Sequence, residues 1–382
     1  MNNKSLYLLT LISLIFLHGC YNENNSSNKI NEPKNPFGTN PIECETKVDG
    51  EINWTAIYNF NCNKLSEYGL FKSIKNNVYT THEDITPYHL NNTLFTDFTR
   101  KYRFILLPTG KKIDYIETDT FNFPIGSTLI KIFALPEDVQ KEPENILEVR
   151  LLIKRENGWE FLPFVWYPEL SDAYLSVTGT IKEHTIISNN LPYTFDYRTP
   201  SKGQCSVCHV TKINDKTFLT PIGPKARNLN YLDPNSHVNQ LQYWSSIGIL
   251  TALPEDLSSI EFAPNWQDQT ATLENRAKAY LDINCAHCHS DGGSGELSGL
   301  RLEYWRKDID YKHGICNPSH GWRGGGFDIW PGRGEISSIP IRMRHTEPKD
   351  RMPPIGRSLV DEEAAQLISD WIDTLPYESC AE

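Results

Sequence analysis

Methionine is scarce in this chain. Three occur in 382 residues, Met1, Met343 and Met352, so no thioether is available to a site built only from residues 2–342. Basic residues are also in deficit: 37 Lys and Arg stand against 48 Asp and Glu, a formal net charge of −11. That balance argues against nucleic acid, which needs a basic surface. It leaves room for steered docking of a basic partner, or for a plain solvated acidic surface. Long apolar runs are missing except for Leu6 to Leu17, which follows Lys4. This run is shorter than the roughly 20 residues that span a bilayer, and it reads as an export signal. The mature chain is expected to be soluble and at most tethered. The first half shows no nucleophile–base pair and no metal cluster.

What is present lies in the second half. Cys205-Ser206-Val207-Cys208-His209 and Cys285-Ala286-His287-Cys288-His289 are two copies of Cys-x-x-Cys-His. The spacing reads as c-type haem attachment: two thiols bond to the haem vinyl groups, and the following His meets the iron. A single Cys-x-x-Cys can also be a zinc knuckle or a thiol redox pair. Two copies, each with His immediately after the second Cys, favour two covalent haems. Covalent attachment is expected at Cys205, Cys208, Cys285 and Cys288, with His209 and His289 as axial iron ligands.

The sixth ligands differ. Arg351-Met352-Pro353-Pro354-Ile355-Gly356 is a Pro-stiffened loop just before a helix that Asp361 can cap. Met352 is the expected second ligand of the His289 iron, with Met343 as rival; either could instead be core filling. No methionine lies between His209 and Cys285. The far side of the first haem is left to His237, to Lys225, to Met343, or to nothing. Gly223-Pro224 is expected to supply the carbonyl that orients the His209 ring. His287, inside the second motif, is expected to face solvent. Unequal ligation implies unequal potentials, because a thioether ligand raises the potential.

The apolar N-terminal run ends in Leu17-His18-Gly19-Cys20. This resembles a lipobox, with Cys20 as the lipidated residue; an ordinary cleavable signal is the alternative. By analogy with lipoproteins, Tyr21 in place of Asp favours the outer membrane of a Gram-negative cell. Nine cysteines then divide into Cys20, four for haem, and Cys44, Cys62, Cys316 and Cys380. An even remainder in an oxidising compartment suggests up to two disulfides. Cys44 with Cys62 is the natural local pair, and Cys316 with Cys380 would tie an insert to the C-terminus. Connectivity stays open, as do free thiols.

The expected fold is multi-domain α+β: a β-rich, sandwich-like domain followed by a mainly helical, cytochrome c-like dihaem region. Residues 1–19 read as signal, 20–43 as a flexible tether and 44–200 as the β domain. Residues 201–265 read as the first haem domain and 266–382 as a second, class I cytochrome c-like domain. Leu147 to Tyr167 reads as a hairpin whose Asn157-Gly158 supplies two positive-φ positions. Tyr102–Leu107, Ser127–Leu135 and Tyr193–Tyr197 read as further strands. Asn239–Ile249 and Leu273–Ile283 have helical spacing.

Several stretches look like landmarks of one bacterial family. They include Leu65-Ser66-Glu67-Tyr68-Gly69-Leu70-Phe71, Phe123-Pro124-Ile125-Gly126, Pro221 to Asn230, Asn284 to His289 and Arg351-Met352-Pro353-Pro354. The chain resembles exported dihaem c-type cytochromes of unsettled activity, from about Leu65 to the C-terminus. The resemblance implies the haem Cys and His residues directly, and a parallel β-helix repeat protein as partner. The expected function is a periplasmic, lipid-anchored electron carrier between unidentified redox partners. The alternative is a dihaem peroxidase-like or oxidase-like enzyme using an open first haem.

Overall fold

The computed structural model describes residues 31–380 apart from 47, 76–77, 141–143, 189 and 234–235. The expected signal, Cys20 and the first part of the tether lie outside the described residues. Among those described, no helix is long and apolar enough to cross a membrane.

The centre of the fold is one six-stranded antiparallel meander. Its strands are β1 (Ile85–Tyr88), β2 (Arg100–Leu106), β3 (Thr128–Pro136), β4 (Glu144–Arg155), β5 (Gly158–Tyr167) and β6 (Asp172–Leu175), paired in chain order. The β4–β5 hairpin forms where the sequence predicts it, with Arg155 opposite Gly158. Its turn differs in detail: Gly158 has φ +116°, while Asn157 is not among the positive-φ residues. A side chain at 158 would be strained there, which is why glycine closes this turn.

Both faces of the sheet are covered, because side chains alternate along each strand. Phe104, Leu106, Ile130, Ile132, Val149, Leu151 and Phe164 pack against Cys44, Ala56, Ile57, Tyr68 and Leu70 from the N-terminal segment. Ile105, Leu129 and Phe161 point the other way, against Cys205, Leu229, Leu241, Trp244 and Ile260. The first Cys-x-x-Cys-His segment is therefore built onto the sheet's second face. Residues from Pro33 to Glu382 form one compact unit.

The expectation of a sandwich followed by a mainly helical region is overturned. The β half is one six-stranded sheet with two separate two-stranded hairpins, Phe71–Lys75 with Val78–Thr81 and Thr180–Ser188 with Leu191–Thr199. Helix is 24 % of the structure and strand 28 %, with several small sheets, so the second half is not mainly helical. Its longer helices are α1 (Lys202–His209), α2 (Gln240–Ser246), α3 (Leu273–Leu281), α4 (Ser338–Arg344) and α5 (Glu362–Thr374). Between α3 and α4 the chain makes a π-helical turn, short 3₁₀ turns and loops rather than α-helix. Gly321, Gly324, Gly325 and Gly326 account for part of this, since glycine costs about 1 kcal/mol against alanine inside a helix. The helices that do form follow their signals. Asn239 caps α2, Thr272 caps α3, and the Asp361 carboxylate accepts from the Ala364 N–H at the start of α5. Ala277, Tyr280 and Leu281 of α3 share a core with Ala364, Ala365, Ile368 and Trp371 of α5.

Part of the expected tether is ordered. Asn35 and Asn63 are buried, and the Asn63 amide donates to the Pro33 carbonyl at 2.8 Å. These bonds hold the segment to the body.

Two disulfides close the fold, Cys44–Cys62 and Cys316–Cys380. The second spans 64 residues, tying the irregular, glycine-rich segment across α4 and α5 to Cys380. Cross-linking a loop of that length restricts the unfolded chain, so replacing Cys316 and Cys380 by serine is expected to cost about 2–5 kcal/mol in urea unfolding. An unchanged unfolding midpoint would show that the bridge does not constrain the chain.

Candidate functional site

α1 carries the first motif. Ser201 and Gln204 form a reciprocal capping box: the Ser201 hydroxyl accepts from the Gln204 N–H at 3.2 Å, and the Gln204 side chain accepts from the Ser201 N–H at 2.9 Å. Helical spacing then places Cys205, Cys208 and His209 on one face. The second motif follows α3 through a π-helical turn, Asp282–Ala286. The Cys288 and His289 N–H groups donate back to the Cys285 carbonyl at 3.0 and 2.9 Å, which gathers this trio in the same way.

Each motif histidine is held through Nδ1. The His209 Nδ1 lies 2.7 Å from the Thr220 carbonyl, which can only accept. Nδ1 therefore carries the proton and Nε2 keeps its lone pair. The expected Pro224 carbonyl is used otherwise, accepting from the Phe121 N–H. The His289 Nδ1 lies 2.9 Å from the Ser298 hydroxyl, which itself donates to the Gly295 carbonyl at 2.7 Å. That hydroxyl thus accepts from His289, and again Nε2 is left as a base. A Cβ on Gly295 would come within 3.0 Å of the His289 ring, so glycine is what lets the ring lie flat there. Burial pushes His209 down to about 3 and His289 down to about 4. Both imidazoles are neutral at neutral pH, the form that ligates a metal.

A cleft opens beside the first motif. Cys205, Cys208 and His209 form one wall, and the sheet residues Leu129, Leu152 and Phe161 form another. His287 from the second motif, and Pro353, Ile355 and Gly356 from the Met352 loop, close it. A second cleft shares Cys208 and His287 and is lined by Lys225, Asp291 and Glu303.

The two motifs touch. The Cys288 sulfur lies 3.6 Å from the Val207 carbonyl. The ligand atoms of Cys208, His287 and Cys288 all fall within 4.8 Å of one another. A hydrogen bond shared by the two thiols raises Cys208 and lowers Cys288. His287 does not simply face solvent: its Nδ1 is buried without a hydrogen-bond partner among the described residues. Nothing in the local sequence signalled this, because the contact joins positions about 80 residues apart.

The other expected ligands are placed as follows. Met343 on α4 is buried in the core that also holds Cys285 at its edge. The Met352 N–H donates to the Arg342 carbonyl at 2.9 Å, and the charge of Arg342 acts on His289. The Arg357 guanidinium donates to the Met352 carbonyl, and its charge acts on Cys285. The Met352 loop thus lies on the second motif's side while its next residues reach the first cleft. His237 sits on an exposed turn with φ +56°, and it is not among the residues lining either cleft. A buried imidazole that the sequence reading passed over is His313. It is 1 % exposed, packs its ring 6.0 Å from that of Trp371, and has no partner on either ring nitrogen among the described residues.

No family model matches the chain, and the searches of curated proteins and of solved structures return no relative.

Proposed function

We propose that this chain is an exported dihaem c-type cytochrome that carries single electrons between redox partners. The observation that carries the reading is the matched pair of sites. Cys205, Cys208 and His209 share one helical face, Cys285, Cys288 and His289 are gathered by the turn that follows α3, and each histidine is fixed through Nδ1 with Nε2 left as a neutral base. The residues fit the group. On the sheet side the first cleft sets the apolar Leu129, Leu152 and Phe161 beside the cations Arg103, Lys131 and Arg150, and the Arg103 Nη2 has no partner among the described residues. When bound, each haem supplies one-electron iron chemistry. The chain's own part is to anchor, to orient and to exclude water. Cys205 and Cys208 anchor at one site, and Cys285 and Cys288 at the other. Thr220 and Ser298 orient the two imidazoles. Leu129, Leu152 and Phe161 keep water from one face of the first site.

The proximity of Cys208 to Cys288 suits transfer between the two centres, since the attachment residues themselves are in contact. Met352 is proposed as the sixth ligand of the His289 iron. The membrane link through Cys20, the periplasmic location and a β-helix repeat partner belong to the same proposal and rest on the sequence resemblance.

Met352→Ala is expected to lower the potential of one haem only and to open that iron to carbon monoxide. Optical and paramagnetic resonance spectra of both proteins check this, and unchanged spectra would remove Met352 from the ligand set. In the wild type, two low-spin, six-coordinate irons support the carrier. A high-spin iron with peroxide reduction supports the enzyme reading instead.

A second reading has its own observation. Cys208, His287 and Cys288 could hold a metal ion between them. Two thiolates and an imidazole suit zinc, whose structural sites take four such ligands. Elemental analysis showing zinc, in protein that carries no haem, would favour it.

A further inference from the structure

Three cations stand side by side on the sheet face that fronts the first cleft. Arg103 on β2 is directly opposite Lys131 on β3, and Lys131 is directly opposite Arg150 on β4. All three line the cleft. Like charges directly opposite one another destabilise a sheet, so a row of three calls for anions. Arg150 has one: Glu148 accepts from its Nη2 at 2.5 Å and its Nε at 3.0 Å. The other two do not. Arg103 is 5 % exposed, donates a single long bond of 3.4 Å to the Lys101 carbonyl, and leaves Nη2 unpartnered. Lys131 has no carboxylate at ion-pair distance among the described residues; its ammonium lies 4.6 Å over the Phe133 ring. Burial, and then repulsion from Arg103 and Arg150, holds its pKa well below the usual lysine range. Two unmatched cations in a cleft are a built site for two carboxylates.

We infer that Arg103 and Lys131 hold the two propionate carboxylates of the haem attached at Cys205 and Cys208. The assignment rests on the dihaem reading. The direction of the row agrees with it. Arg150 is the end whose charge acts on Cys205 and Cys208. Arg103 lies two strands further on, about 10 Å at the usual strand spacing. The row therefore leads away from the thiols, and the propionates of a haem lie away from its vinyl edge. Charge-assisted bonds from a guanidinium and an ammonium to carboxylates would satisfy the donors that otherwise remain idle.

The test compares the wild-type holo-protein with Lys131→Gln, Arg103→Gln and Lys131→Arg. Intact mass counts the haems, potentiometric titration reads each midpoint, and calorimetry follows added succinate as a free dicarboxylate probe. The inference expects two haems in every protein. One midpoint falls in Lys131→Gln and in Arg103→Gln, because a positive charge that disfavours the ferric state is gone. The other midpoint stays put, Lys131→Arg matches the wild type, and succinate does not bind. Arg103→Gln keeps the test alive if Lys131→Gln does not fold, since Arg103 gives up only one long hydrogen bond. Two haems with unmoved midpoints in both glutamine variants would overturn the propionate assignment and leave the dihaem reading standing. Succinate binding that disappears in Lys131→Gln would overturn it in favour of a free anion site. A wild-type mass without haem would overturn the dihaem reading itself, and this assignment with it.

Discussion

Cys205→Ser combined with Cys208→Ser is expected to remove one covalent haem and leave the other, halving the haem content by mass. Serine keeps the size of each side chain but cannot form the thioether. α1 should still form, because its Ser201–Gln204 capping box lies outside the changed positions. The second site is positioned separately, by α3, the Asp282–Ala286 turn and the Ser298 hydroxyl. It should therefore load normally. Its spectrum should shift slightly all the same, because Cys208 lies against Cys288 and His287. The matching pair, Cys285→Ser with Cys288→Ser, should spare the first haem in the same way. Loss of both haems from either pair would mean that the two sites do not load independently. Loss of neither would mean that these cysteines are not the attachment points.

Arg227→Met should have the largest effect on stability, about 3–5 kcal/mol, the cost of breaking a buried ion pair from one side. That is a large part of the roughly 5–15 kcal/mol that holds a domain folded. Arg227 is 1 % exposed and grips Asp282 with two bonds, of 2.9 and 2.6 Å. Its Nη1 also donates to the Thr118 carbonyl at 2.6 Å, and Asp282 accepts from the Tyr304 N–H. One side chain thus ties the segment after the first motif to the turn that carries Cys285. Removing it strands a carboxylate in the interior. Arg227→Met with Asp282→Leu should recover much of the loss, because no charge is then left buried.

The pH dependence follows the same pair. Burial alone would raise the Asp282 pKa, but Arg227 holds it below the usual value. A depressed carboxylate contributes stability that is present at neutral pH and lost as pH falls through its folded-state pKa. In the wild type that loss should begin only below about pH 4, the ordinary aspartate range. In Arg227→Met the burial acts unopposed and raises the Asp282 pKa, so protonation relieves the stranded charge: this group's cost is greatest at pH 7 and shrinks as pH falls, and the gap to the wild type should narrow towards acid pH. Urea unfolding across pH 3 to 7 measures both effects, and equal stabilities of the two proteins at pH 7 would contradict the account.

The local signals in the chain were legible. Alternating β-branched and aromatic residues marked β2, β3 and the β4–β5 hairpin, helical spacing marked Asn239–Ile249 and Leu273–Ile283, and Asp361 marked a helix start. These are near-neighbour effects, decided within a few residues. The remaining cysteines also paired as spacing and position suggested, Cys44 with Cys62 and Cys316 with Cys380. What was not legible depends on long-range packing. The sheet takes its second cover from residues 205–260, so Cys205 and Trp244 share a core with Phe161. No periodicity shows that. The same holds for His287 against Cys208, and for Arg103, Lys131 and Arg150, which are single basic residues on separate strands until register aligns them. The helical expectation failed for a physical reason: the second half is held by turns, a disulfide and the buried Arg227–Asp282 ion pair, and glycine-rich sequence favours turns.

The central claim is two covalent haems on one chain. The most direct test is the intact mass of the full-length protein, expressed with haem-attachment machinery, read together with its reduced optical spectrum. The account predicts a mass increased by two haems and the absorption bands of c-type haem. A mass with no haem, and zinc or a free thiol pair at Cys208 and Cys288, would contradict it.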